Sequence, residues 1–282
     1  FPLEACGLVG DDDNGRWICD DCAAHGIDIR QLHRTPHHAT SYTDAMTVRT
    51  SGRRTFFHQR GANALFDVEH CDFSATSARL FHLGYLLLLD RMDTFGEDGR
   101  THASKLLANA TEAGMETSVD VVSTEHPQFR EIVLSALPFT DHLIINEVEA
   151  SRVLQAPLRA DDAAGLLSAA RQILAHGVRG TVTIHTEHGA VSLTSQDKQA
   201  AQPSLRLPEG FSKGATGAGD AFAAGLLYGL HEDWPLQKRL RLAVCTAASS
   251  LSDPTPSAGL LPVTDCLGLA DAFGFGTFGF PC

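Results

Sequence analysis

The chain has 282 residues, with 22 Lys and Arg against 34 Asp and Glu, a formal net charge of −12. That length fits one large α/β unit or two smaller domains. The acidic balance argues against nucleic acid or another polyanion as a partner, while leaving room for a small, locally built phosphate site. The longest apolar stretch, from Leu83 to Leu89, falls far short of the roughly 20 residues a bilayer crossing needs, so no membrane span is expected.

Seven cysteines are too sparse for a disulfide framework, and the odd number leaves at least one thiol outside any intramolecular pair. A reducing cytoplasm fits this usage best. Cys19 and Cys22 form a single C-x-x-C around Asp20 and Asp21, with no second ligand pair at zinc spacing after it.

The chain opens on Phe1-Pro2-Leu3 as if in mid-element, and native sequence before Phe1 is expected to be missing. Asp11 to Gly15 reads as a turn and residues 16–25 as a helix stopped by Gly26. Two β-rich runs follow, 40–50 and 53–59, separated by Ser51-Gly52; they predict an antiparallel flap within residues 38–62. Beyond Asn63 the pattern alternates: strand 80–83, helix 99–113, strand 117–122, helix 128–137 and strand 142–145. A helix over 161–176, strands 181–185 and 190–194, and helices starting near Gly217, Leu236 and Thr264 complete the order. The expected architecture is a single three-layer α/β/α sandwich over residues 1–282, with a mostly parallel central sheet and a small β lid. The Gly/Phe-rich tail, 273–280, either packs an end or frays.

The strongest local signal is Gly214-Ala215-Thr216-Gly217-Ala218-Gly219-Asp220, which runs into an apolar helical pattern at Phe222, Leu226 and Leu230. Glycines let a loop turn tightly into a helix start, whose free amides and positive dipole end make an anion cradle without Lys or Arg. No Gly-Lys-Ser/Thr closes it, so it is not a Walker loop, and its glycines run G-x-x-G-x-G rather than in the dinucleotide order. From spacing alone, Asp220 is equally readable as an N-cap.

This segment resembles the C-terminal signature of the PfkB, or ribokinase-like, carbohydrate kinases, which reads Asp-Thr-x-Gly-Ala-Gly-Asp ahead of a helix. A second landmark of that family, Asn-x-x-Glu after a sheet strand, is met by Asn146-Glu147-Val148-Glu149 behind Leu143-Ile144-Ile145. Further likeness lies in Val9-Gly10-Asp11-Asp12, in Thr40-Ser41, in Gly61-Ala62-Asn63 and in Ala258-Gly259.

The resemblance implies ATP-dependent phosphorylation of a sugar hydroxyl. Asp220 would be the general base, and the amides of Gly217, Ala218 and Gly219 the anion hole. Asn146 and Glu149 would organise the phosphates and a hydrated Mg²⁺, Glu149 acting on the ion through water. Thr186 and Gly189 fall in the family's nucleotide loop, Thr186 in place of its first Gly. Asn63 and Gly84 remain on the substrate side, and the lid is the expected surface of a homodimer. Gly214 and Ala215 replace the signature's Asp and Thr, which removes a carboxylate used by members that bind a monovalent cation. Cys245 lies near the place where some members present an Asn to the adenine. A nucleoside kinase, encouraged by Phe56 and Phe57 on the flap, and a sugar- or nucleotide-sensing relative without turnover are the alternatives.

Overall fold

The computed structural model describes residues 1–47 and 54–279. Internal contacts divide the chain into two compact units, Phe1–Thr117 with Thr124–Phe139, and Ser118–Ser123 with Thr140 onward. Among the described residues, no helix is long and apolar enough to cross a membrane.

In the first unit, β1 (Glu4–Gly10), α1 (Asp13–Ala24) and β2 (Asp28–Thr35) form a β-α-β element in which the two strands pair in parallel. The helix starts where Asp12 Oδ1 accepts from Gly15 N at 2.8 Å, and it is left behind at Gly26, whose φ of +70° is the left-handed turn-off expected of a glycine there. β2 had no place in the sequence expectation, because Arg30, Gln31, His33 and Arg34 interrupt any apolar alternation. β3 (Tyr42–Thr47) and β4 (Arg54–Gln59) pair antiparallel from Tyr42↔Gln59 to Thr47↔Arg54, which is the expected flap. Its turn at Ser51-Gly52 lies outside the described residues.

β5 (Leu80–Leu86), α2 (His102–Glu112) and α3 (Phe129–Ala136) complete this unit. α2 buries Ala103, Leu106, Leu107 and Ala110, the i, i+3, i+4, i+7 face of an amphipathic helix, behind a Thr101 cap. A disulfide joins Cys6 to Cys71 across a Cα separation of 6.1 Å. Nothing in the spacing of the seven cysteines announces that pair; it exists because the chain brings β1 and the turn after His70 together.

The second unit holds most of β6 (Glu116–Val121), then β7 (His142–Asn146), α4 (Glu147–Leu154), α5 (Ala163–Leu174), β8 (Thr181–His185), β9 (Gly189–Thr194) and β10 (Gln199–Pro203). α6 (Ala218–His231), α7 (Leu236–Ser250) and α8 (Val263–Phe273) follow. β6, β7 and β8 are parallel, and β9 and β10 add antiparallel. One sheet face, with Ile144 and Ala190, packs on Phe222, Leu226, Leu240 and Val244 of α6 and α7. Alternation sends Leu143, Ile145, Val182 and Ile184 to the other face, where α5 packs. These are three layers, an α/β arrangement with helices on both faces of a mostly parallel central sheet. In the C-terminal tail, Phe275 bridges Leu205, and Phe278 is buried. The tail therefore packs.

α6 and α7 approach closely at Gly225, where a Cβ would stand 2.3 Å from Thr246 Oγ1 and 2.9 Å from Ala243 Cα. Thr246 Oγ1 also donates to Ala221 O at 2.8 Å, tying the two helices. Gly225→Ala is therefore expected to force the pair apart and lower stability by about 1–3 kcal/mol, visible as an earlier midpoint in denaturant unfolding. An unchanged midpoint would mean that the helices slide at no cost.

Candidate functional site

The apolar run Leu143-Ile144-Ile145 is fully buried in β7 and ends at Asn146, where the backbone leaves the strand and caps α4. Asn146 Oδ1 accepts from Glu149 N at 2.9 Å, and Glu149 Oε2 accepts from Asn146 N at 2.9 Å, a reciprocal capping box. Ser123, just past β6, donates from Oγ to Glu149 Oε1 at 2.6 Å, and Asn146 Nδ2 donates to that same oxygen at 2.9 Å and to Ser123 Oγ at 3.0 Å. Glu149 is only 4% exposed, so it is not the surface acid that its helix position allowed. Burial pushes its carboxyl up to about 7, with the hydrogen bonds from Ser123 and Asn146 pulling the other way and the nearby Asp120 adding to the rise.

The second motif sits at the start of α6. Gly217 is the N-cap, with φ +79°, and a Cβ there would lie 2.7 Å from Pro256 O. Only glycine fits both the angle and the space. Ala218, Gly219 and Asp220 form the first turn, and Ala218 N makes only a long 3.3 Å bond to Ala215 O. Asp220 is exposed and belongs to this turn, so the capping position that spacing left open for it is occupied by Gly217 instead. A carboxylate there is favoured by the helix dipole.

The two motifs meet through His185. β7 and β8 are parallel, and their last residues, Asn146 and His185, are register partners. The His185 ring lies on Phe222 of α6 with centroids 4.8 Å apart, and its Cε1 is 3.9 Å from where a Cβ on Gly219 would stand. Asn146, Glu149, Gly217, Ala218, Gly219 and Asp220 thus gather at the carboxyl edge of the parallel strands, where open α/β sheets bind ligands. Neither Ser123 nor His185 belonged to the sequence-derived set. A hydroxyl or imidazole directly after an apolar strand was the available signal.

Thr186 and Gly189 frame the turn from β8 to β9. Thr186 N donates to Gly189 O at 2.8 Å, and the Thr186 hydroxyl donates to Ala160 O at 2.9 Å while accepting from His188 N at 3.0 Å. A Cβ on Gly189 would meet Gln202 O at 2.5 Å. Thr186 thus braces the loop with its side chain at the place where the family has a bare glycine. A Cβ on Gly214 would touch Pro254 Cα at 3.0 Å, so the position has little room for a carboxylate. Cys245 is fully buried among Leu205, Leu242, Ala248 and Cys266, and burial pushes its thiol up to about 11. It is a core residue and presents nothing to a base.

In the first unit, the segments that carried the family likeness converge. Asp12 accepts from Thr40 Oγ1 at 2.6 Å and Thr40 N at 2.8 Å, Gly10 N donates to Thr40 Oγ1 at 2.9 Å, and Ala62 N donates to Ala39 O at 2.8 Å. The Thr40 hydroxyl, with the amides of Gly15 and Thr40, holds the Asp12 carboxyl down at about 2. Asn63 stands in the short 3-10 turn Gly61–Leu65, half-buried, and Gly84 is exposed near the end of β5.

Residues 2–262 match the family described as pfkB family carbohydrate kinase. A deoxyribokinase of Salmonella typhimurium is 22% identical over 244 residues, covering 86% of this chain and 74% of that protein. A ribokinase of Arabidopsis thaliana, solved with ribose and ATP, superposes with a TM-score of 0.75 at 18% identity, over 95% of this chain and 81% of that one. A fructokinase of Xylella fastidiosa with bound ATP gives 0.74 at 19% identity, over 95% and 84%. With the glycine-capped helix start and the Asn-x-x-Glu box at one strand edge, the match over nearly the whole chain places this protein in the pfkB family of carbohydrate kinases.

Proposed function

We propose that the chain transfers the γ-phosphoryl group of ATP to a hydroxyl of a sugar or sugar derivative, with Asp220 as general base. The observation that carries this is an exposed carboxylate on the first turn of α6, beside amides held open by Gly217. Asp220 takes the proton as the hydroxyl oxygen bonds to phosphorus, and the bond from phosphorus to the β-phosphate oxygen breaks, leaving ADP and a sugar phosphate. The N–H groups of Gly217, Ala218 and Gly219 take up the negative charge that gathers on the transferred group, the long Ala218–Ala215 bond yielding to a phosphate oxygen.

The residues present fit a hydrated Mg²⁺. Both Glu149 oxygens already accept hydrogen bonds, which suits contact through water rather than a direct bond. The ion, when bound, would neutralise phosphate charge. Asn146 and Glu149 orient the phosphates, the turn from Thr186 to Gly189 borders the nucleotide, and Asn63 and Gly84 serve the acceptor. Tyr42, Met46 and Phe57 share one exposed face of the β3–β4 lid, the surface proposed for a second copy of this chain.

A nucleoside acceptor is the second reading, favoured by the exposed aromatic side chains of the lid. Phe56 and Phe57 are sequence neighbours and lie on opposite strand faces, so a given face offers a base one of them. ADP release measured with ATP against pentoses, hexoses and nucleosides decides between the two. Absence of turnover with every acceptor, in protein that binds Mg²⁺·ATP, would favour a sensor instead. The crowding at Gly214 predicts weak dependence on monovalent cations: exchanging Na⁺ for K⁺ at constant ionic strength should alter the rate less than about twofold, while removing Mg²⁺ abolishes it. Saturable K⁺ activation would show that other oxygens build the cation site.

A further inference from the structure

The reciprocal cap of α4 needs only two residues: Asn146 Oδ1 takes the Glu149 amide and Glu149 Oε2 takes the Asn146 amide, each at 2.9 Å. Ser123 takes no part in that cap. Its hydroxyl closes a triangle of side chains instead, donating to Glu149 Oε1 at 2.6 Å and accepting from Asn146 Nδ2 at 3.0 Å, while Nδ2 donates to Oε1 at 2.9 Å. Ser123 is exposed, so water could satisfy its hydroxyl and burial demands neither bond. Of the roughly four acceptor sites of a carboxylate, two on Oε1 and one on Oε2 are taken. The triangle fixes the Glu149 side chain and still leaves it an acceptor site for a ligand.

We propose that Ser123 is a positioning residue for phosphoryl transfer, holding Glu149 and Asn146 in the rotamers with which they meet the phosphates of ATP and the water shell of Mg²⁺. This rests on the kinase reading given above and adds to it a residue that belongs to neither motif. A glutamate side chain loses rotamer freedom when it is ordered, and that loss weakens ligand binding unless folding has already imposed it. Ser123 imposes it from the sheet. β6 and β7 are parallel neighbours with Asp120 opposite Ile144, so Ser123 and Asn146 leave their strands at the same edge. A water molecule in place of the hydroxyl would satisfy Oε1 without tying either side chain to a strand. Partners that orient a metal-directed carboxylate are typically worth 10–100-fold in metal affinity or activity.

The test measures ATP binding by calorimetry, with Mg²⁺ and with EDTA in its place, on wild-type protein, Ser123→Ala and Ser123→Thr. Ser123→Ala is expected to weaken binding of Mg²⁺·ATP about tenfold and to leave metal-free ATP binding unchanged. Ser123→Thr keeps the hydroxyl and should bind as wild type does. Melting temperatures should stay within about two degrees of wild type, as for other exposed substitutions. In a Glu149→Gln background, Ser123→Ala should cause no further loss, because Ser123 acts through Glu149. Equal weakening with and without Mg²⁺, no weakening at all, a threonine variant that behaves like alanine, or a full additional loss beside Glu149→Gln overturns the proposal. If Ser123→Ala fails to fold, Ser123→Gly is read in the same way. Wild-type protein that binds Mg²⁺·ATP yet phosphorylates no acceptor would end the kinase reading while leaving this comparison intact. Wild-type protein whose ATP binding ignores Mg²⁺ would overturn both.

Discussion

Asp220→Asn is expected to lower kcat by at least about 10²-fold, with folding and ATP binding nearly unchanged. Asparagine keeps the shape of the side chain and is a very poor base. The structural cost is expected to be small because Gly217, not Asp220, is the N-cap of α6, and asparagine keeps a side-chain oxygen in the same place. Asparagine also gives up the favourable interaction of a negative charge with the helix dipole, typically about 0.3–1 kcal/mol. The chemical cost is large, because the hydroxyl proton has no other acceptor in the proposed role. Thermal melting, calorimetry with Mg²⁺·ATP and steady-state kinetics separate the two effects. A variant that turns over at the wild-type rate would reduce Asp220 to a charge on a helix start.

Most of the alternating elements from β5 to α8 were readable because each has a buried face with a fixed period, whereas the short edge strand β10, Gln199–Pro203, was not expected. Ala103, Leu106, Leu107 and Ala110 repeat at helical spacing, and Leu143-Ile144-Ile145 is apolar throughout, as a strand covered on both sides must be. β2 escaped because its outer positions carry Arg30, His33 and Arg34, and pairing with β1 overrides a weak pattern. α4 escaped for a different reason. It has eight residues and is set by the Asn146–Glu149 box, so its signal is a cap rather than a periodic face. The Cys6–Cys71 bridge and the approach of His185 to Gly219 join segments distant in the chain. Such encounters belong to tertiary structure, and neither has a local pattern.

In the candidate site, the motif residues were readable while the state of their side chains was not. Spacing placed Asn146 and Glu149 on one turn, yet it could not tell an exposed acid from a buried one. Ser123 makes that difference. Its hydroxyl closes the carboxylate in, from a segment 26 residues away, and the family pattern contains no letter for it. Gly217 illustrates the opposite case, because its φ and its contact with Pro256 require what the motif already spelled.

Glu149→Gln tests whether this buried carboxyl serves the phosphates or only the cap. The sign of its pH effect follows from burial. In the unfolded chain Glu149 loses its proton near 4.5, whereas in the folded protein the carboxyl holds it up to about 7. Between those values the folded state binds more protons, so its stability falls as pH rises through the window. The contribution is fully present below pH 4.5 and lost above about 7, with an upper size on the order of 3 kcal/mol. Glutamine keeps an acceptor for Asn146 N and a polar group for Ser123, and it does not ionise. Melted without Mg²⁺, the variant should therefore gain on wild type by several degrees between pH 5 and pH 8. In kinetics the missing charge should raise the Mg²⁺ requirement and lower kcat by about tenfold, with acceptor affinity by calorimetry unchanged. If Glu149 were only a helix cap, the stability difference would still vary with pH, but the Mg²⁺ titration of the variant would overlay that of wild type. That overlay is the result that would remove Glu149 from the phosphoryl-transfer site.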